Sequence, residues 1–344
     1  MIILRQKKMK KYTLLFSLFI PLLVYAQKKD SVEINQGKFF ANLYTGFYYR
    51  ASDNAVKSGF NMPTALFGYK RNLNSKVSGI IIFDVTRTTN NIQVTDSSGN
   101  YLNVSYFEGS KYTVFLKMAE IDWRFIPEIT LSVGQLLNTQ YLTFQDKFWA
   151  HRYVQVTFQE LFRLGMPADF GARLSYEPNK QLKVQIDACN GEGPFRYQDE
   201  NSDFIYSGNI EYKPVNSLIF KFYYSNHQPK TADSLHTQQT VSFFAGYKSK
   251  KITVGQEIDY LKNSRFSTRS LFGLSSFACY DFTKAWQIFY RFDYLDDTSQ
   301  EKAIQYHIAG IQYKPAETFY ISANYRYFNV EKTNMIFVNF GLKI

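Results

Sequence analysis

Six charged residues within one short stretch, Asp146, Lys147, His151, Arg152, Glu160 and Arg163, are the positions where this chain could do chemistry. Opposed fixed charges across a narrow water-filled opening set up a transverse field that orients dipolar solutes and filters ions. The alternative for the same residues is an outer loop whose charges simply face water. Catalysis is a poor reading, and no catalytic residue is assigned. His151, His227, His236 and His307 fall in different segments, with no Gly-x-Ser-x-Gly elbow beside them, so the nucleophile-and-base constellation fails at its first step.

The elements that must position these charges are two strands and the insert between them. One strand runs through Leu131 and Val133 to Gly134, the insert spans about 141–166, and a second strand runs through Phe170, Ala172, Leu174 and Tyr176. Thr157 and Glu160 have capping-box spacing, Gly165 offers a left-handed stop and Pro167 cannot continue a helix, so about two helical turns are predicted inside the insert. Phe144, Phe148, Trp149, Phe158 and Phe162 are read as pins that hold it to a wall, and its place as a fold-back into a barrel lumen.

That wall is legible in the rest of the chain. Aromatic residues make up 18% of the sequence, more than a soluble domain needs and what an apolar outer band edged by aromatic girdles requires. After the first 26 residues no run of 18 apolar residues occurs, so helices do not span a membrane. Apolar residues instead alternate. Leu182, Val184, Ile186 and Ala188 oppose Lys183, Gln185, Asp187 and Cys189; Trp286, Ile288, Tyr290, Phe292 and Tyr294 oppose Gln287, Arg291 and Asp293. About sixteen such strands follow from Lys38 onward, the second starting near Gly59 and the twelfth near Thr268. Around Met62-Pro63 and Lys117-Met118 the alternation changes phase, as at a bulge or a misplaced boundary.

Tight turns at 72–74, 126–128, 178–180, 214–216, 248–251, 283–284 and 315–316 all fall between an even strand and the next odd one, and longer links between odd and even strands. The expectation is an all-β transmembrane antiparallel barrel with both ends periplasmic and 141–166 as its third outer loop. The final alternation, Ile336 to Ile344, has the form of a signal for the outer-membrane assembly machinery.

The first 26 residues read as a removed export signal: Arg5, Lys7, Lys8, Lys10 and Lys11, then an apolar stretch to Val24, then Val24-Tyr25-Ala26. Residues 27–344 form one barrel domain. With those five bases gone, 35 of the 40 Lys and Arg remain against 29 acids, a net charge of +6. Nucleic acid is not expected as a partner, since much of the basicity belonged to the signal, no basic tract with interleaved aromatics remains, and an exported chain would not meet nucleic acid. Cys189 and Cys279 are expected as free buried thiols, and four scattered histidines make no metal site and require no cofactor. Asp296, Asp297 and Glu301 suit a solvated face or divalent contact to lipopolysaccharide.

Gly134-Gln135 before the insert, residues 168–175 after it, and the run from Asp187 to Gly193 closing the next strand resemble the phosphate-selective porin O/P family. The resemblance implies a sixteen-stranded outer-membrane porin, a homotrimer, with its third outer loop bent into the pore and anions such as phosphate as solutes. The family's single-sign arginine ladder is missing here. Inward Arg124, Arg173, Lys183, Lys221, Arg291 and Arg326 are interspersed with Asp84, Glu120, Asp122, Asp169, Asp187, Glu257, Asp259, Asp281 and Asp293. The function that follows is a passive diffusion channel for small hydrophilic solutes or ions, against a non-conducting binding or adhesion barrel and, behind both, a barrel hydrolase.

Overall fold

A computed structural model describes residues 37–52, 55–88, 111–140, 144–194, 198, 204–229, 236–330 and 332–344. The export signal at 1–26 and most of the link at 88–110 lie outside the described residues. Among those described, five strands precede the insert: β1 (Lys38–Ser52), β2 (Ala55–Asn72), β3 (Val77–Thr88), β4 (Lys111–Ile126) and β5 (Ile129–Leu137). Six come next: β6 (Ala168–Tyr176), β7 (Leu182–Cys189), β8 (Ile205–Val215), β9 (Leu218–His227), β10 (Gln238–Lys248) and β11 (Ile252–Lys262). The last five are β12 (Leu271–Asp281), β13 (Trp286–Asp297), β14 (Ile304–Ala316), β15 (Phe319–Phe328) and β16 (Thr333–Lys343).

Each strand pairs antiparallel with its sequence neighbour, and β1 pairs with β16 from Asn42↔Lys343 to Ala51↔Asn334. The sheet is a closed sixteen-stranded barrel, so no edge is left with unpaired backbone groups in lipid. No helix among the described residues is long and apolar enough to cross a membrane. Strand alternation carries the crossing instead: on β9, Phe222 and Tyr224 are 44% and 38% exposed while Lys221 and Tyr223 between and beside them are buried. One face meets lipid and the other the interior. Outward aromatics such as Trp123, Tyr212, Tyr247, Tyr280, Trp286 and Tyr313 gather toward the short-turn end of the strands.

Both changes of phase are bulges. Tyr44 pairs with Thr64 but Gly46 with Asn61, so Thr45 stands opposite both Met62 and Pro63. The proline, which has no N–H to give a ladder, sits where the ladder is interrupted. On β4, Ile82 pairs with Met118 and Phe83 with Leu116, leaving Lys117 as the extra residue. Gly134 of β5 has φ +123°, and a Cβ there would lie 2.0 Å from the Ala119 carbonyl oxygen, which restricts the position to glycine.

Four details of the sequence reading are corrected. β2 starts at Ala55, not near Gly59, and Ser52 pairs with Ala55, so the first outer link is short. Inside the insert the helices are two short pieces, α1 (Phe144–Trp149) and α2 (Phe158–Leu161), rather than two continuous turns after Thr157. The capping box does not form: Thr157 makes no side-chain cap bond, and the Glu160 carboxylate accepts from Arg152 instead of the Thr157 N–H. The left-handed residue that ends α2 is Arg163 (φ 56°), with Leu164 N–H donating to Gln159 O, and not Gly165.

Candidate functional site

The insert lies along the inward faces of β9 to β16 as a strap. Its apolar pins are aromatic. Trp149, 1% exposed, sets its ring 5.5 Å from Phe277 of β12 and 5.9 Å from Phe289 of β13. Phe148 meets Phe244 of β10 edge-on at 5.6 Å, and Tyr153 lies 5.7 Å from Tyr320 of β15. Aromatic pairs of this kind add to what area burial alone provides. The Phe144 side chain is outside the described residues.

Polar anchors run along the same half of the wall. Gln159 donates to Glu257 and, at 2.6 Å, to Asp259, both on β11. Gln145 donates to Glu257 at 3.2 Å, and Lys221 of β9 donates to the Gln140 carbonyl and, at 3.0 Å, to Gln145 Oε1. Arg291 of β13 donates to the Val156 carbonyl at 2.6 Å while bound to Asp293 at 2.7 Å, and Arg326 of β15 donates to the Val154 carbonyl at 2.8 Å. Lys221, Arg291 and Arg326 therefore face inward but sit behind the strap, where they satisfy carbonyls of a segment too short to bond itself.

A cavity of about 980 Å³ separates the strap from strands β2 to β8 and extends past the strap to residues of β9, β10 and β11. On the wall, Lys117 Nζ lies 2.5 Å from Asp84 Oδ2 and Arg173 Nε 2.7 Å from Asp187 Oδ1. On the strap, Arg152 reaches Asp146 at 3.1 Å and Glu160 at 2.7 Å. Burial opposes the charge on Arg152, but Asp146 and Glu160 outweigh it and raise its pKa, so the guanidinium stays charged. Arg163 also lines the cavity, as does Arg265 from the link between β11 and β12.

The remaining charged positions take other places. His151 is buried with its Nδ1 donating to the Trp149 carbonyl at 2.5 Å, and burial pushes its pKa down to about 4. Lys147 is exposed on α1, outside the cavity lining. Arg124 shares a face with Glu120 near the β4–β5 turn, and Lys183 pairs with Glu177 at 2.8 Å beside the β6–β7 turn, both at the short-turn end. Asp297 is not free for a divalent ion, being held by Arg269 at 2.5 Å. Both cysteines are free and buried, and among the described residues no group of three metal-ligating side chains is assembled.

Sequence reasoning missed Lys117, Gln159 and Arg265. Lys117 had a signal, the slip in alternation at its own position. The other two had none, because a glutamine in a loop and an arginine in a link look like solvated polar residues. The run from Asp187 to Gly193 has a structural role: Asp169 accepts from Gly191 N–H at 2.6 Å and Gly193 N–H at 3.2 Å, and both glycines have positive φ. This ties the base of the next outer loop to the strand that follows the strap.

A protein family described as beta-barrel porin-2, OmpL-like, matches residues 161–340. No curated protein matches the chain. Solved structures match its fold at low identity. An anion-selective porin from Comamonas acidovorans is 11% identical with a TM-score of 0.62, over 90% of this chain and 99% of that one. OmpF of Salmonella typhi, in complex with daunomycin, is 11% identical with a TM-score of 0.64, over 90% and 98%. OmpT of Vibrio cholerae, in its trimer form, is 8% identical with a TM-score of 0.59, over 90% and 99%.

Proposed function

This chain belongs to the OmpL-like beta-barrel porin-2 family, and from that premise we propose how its outer-membrane channel works and what it passes. The protein is a porin, a passive route for small hydrophilic solutes. The observation that carries the detailed reading is the one-sided cavity, bounded by a strap on one flank and by paired charges on both. Solutes cross between Arg152, Glu160 and Arg163 on the strap and Asp84, Lys117, Arg173 and Asp187 on the wall. Asp146 acts on this constriction through Arg152, and His151 through the seating of the strap.

The ion pairs nearly cancel, and the side chains of two lining arginines, Arg163 and Arg265, have no ion pair or hydrogen bond among the described residues. Asp169 also lines the cavity, so its lining holds five bases against four acids, and a modest preference for anions, phosphate among them as in the O/P-type porins the sequence resembles, follows from that excess of one. The neighbour described as anion-selective and the one in trimer form support the same reading, with a homotrimer in the membrane. Export through a cleaved leader at 1–26, insertion by the outer-membrane assembly machinery and lipopolysaccharide contact at the outer loops complete it. A blocked adhesion barrel is disfavoured by the cavity, and a hydrolase by the family.

Conductance of the purified protein in planar bilayers tests this. Steady ohmic steps in KCl, with a reversal potential under a KCl gradient on the anion side of zero, are the expected result. Absent conductance rejects the channel, and a cation-side potential rejects the selectivity.

A further inference from the structure

We propose that the outer end of the passage contains a subsite for small organic carboxylates with an apolar body, built from Arg163, Leu164, Leu261, Arg265 and Phe266. The proposal rests on the channel reading and narrows its solute class.

Arg163 and Arg265 come from different links and line the same cavity. Both have left-handed backbones, φ 56° and 55°, a conformation costly for a residue with a Cβ that persists only where the surroundings impose it. Around Arg265 those surroundings are visible. Its own N–H donates to Gln238 Oε1 at 2.8 Å, Asn263 Nδ2 donates to the Thr237 carbonyl at 2.8 Å, and Ser264 N–H donates to the Arg269 carbonyl at 2.7 Å. The side chain so positioned has no partner of its own among the described residues.

Apolar side chains adjoin both arginines in the cavity lining. Leu164, next to Arg163, packs in one cluster with Leu261, four residues before Arg265. Phe266 follows Arg265 and meets the His227 ring edge-on at 4.8 Å. All of these face the cavity. Guanidinium forks suit a carboxylate, in one or two parallel hydrogen bonds. Leucine and phenylalanine beside them would shelter a hydrocarbon or aromatic body that an inorganic anion does not have.

The full chain folded in detergent is titrated against 4-fluorobenzoate while fluorine line width is followed, a readout that does not depend on conduction. Broadening that is competed by benzoate at least threefold better than by phosphate, and absent with 4-fluorobenzylammonium, is expected. Arg163→Gln with Arg265→Gln should abolish it; Arg265→Gln alone, in an exposed link, should weaken it, and Leu261→Asn should weaken benzoate competition but not phosphate competition. Equal competition by phosphate, equal broadening by the cation, or unchanged broadening in the variants would overturn the subsite. Missing KCl conductance alongside intact broadening would reject the channel and leave the subsite standing.

Discussion

Lys117 reaches Asp84 across the β3–β4 ladder, Nζ to Oδ2 at 2.5 Å, because it is the extra residue of a bulge. Without the bulge, strict alternation would turn one of the neighbouring pair Lys117 and Met118 toward lipid; with it, both are buried. Bulges re-aim side chains in this way beside functional sites. The lysine is thereby set on the wall facing Arg152 and Glu160, where it neutralises a carboxylate that would attract cations.

Replacing Lys117 by Gln is expected to leave Asp84 uncompensated in the cavity and to move the KCl reversal potential toward cations. A unit charge acting across about 4 Å of water contributes about 1 kcal/mol, or roughly fivefold in the permeability ratio. A reversal potential unchanged in Lys117→Gln would place the ion path away from β3 and β4.

The strand count and the division between short and long links were legible because a barrel imposes period two and lipid makes one phase apolar, as on β7 and β9. The bulge at Lys117 was legible as a slip and not as a purpose. The inward bases were not separable. Lys221 behind the strap and Arg173 beside the open cavity read alike, since both sit opposite apolar residues on alternating strands, and only tertiary placement of 144–164 divides them. Local rules misled at the insert, where Arg152 outcompetes the cap for Glu160.

Gln159 is fully buried and its amide bridges Glu257 and Asp259. Gln159→Leu keeps the volume and removes the donor, leaving two carboxylates with one partner fewer, at a cost of about 1–3 kcal/mol. The expected outcome is a lower unfolding midpoint together with noisier open-channel current as the strap loosens. A destabilised protein with quiet current would separate the anchor from the passage.

Trp149 fills the space between Phe277 and Phe289, with the Arg291 guanidinium 5.1 Å from its ring centre. Trp149→Ala is expected to cost about 3–5 kcal/mol, the range for truncating a large core aromatic. Because the strap narrows the bore, its release should also raise single-channel conductance. A smaller or equal conductance in a folded variant would show that the strap is held by its polar anchors alone.

His151 gives the strap a dependence on acid. Burial lowers its pKa from an ordinary 6.5 to about 4, so the unfolded chain takes up a proton that the folded chain refuses. Stability is complete above about pH 6.5, falls as the pH drops toward 4, and levels off below that. His151→Gln removes this contribution while the carboxylates titrate as before. Unfolding midpoints at pH 7.5 and 4.5 should therefore drop further for the native chain than for the variant, by up to about 3 kcal/mol. Equal drops would mean that water reaches His151 and that the contacts of Trp149 and Phe289 do not seal this end of the strap.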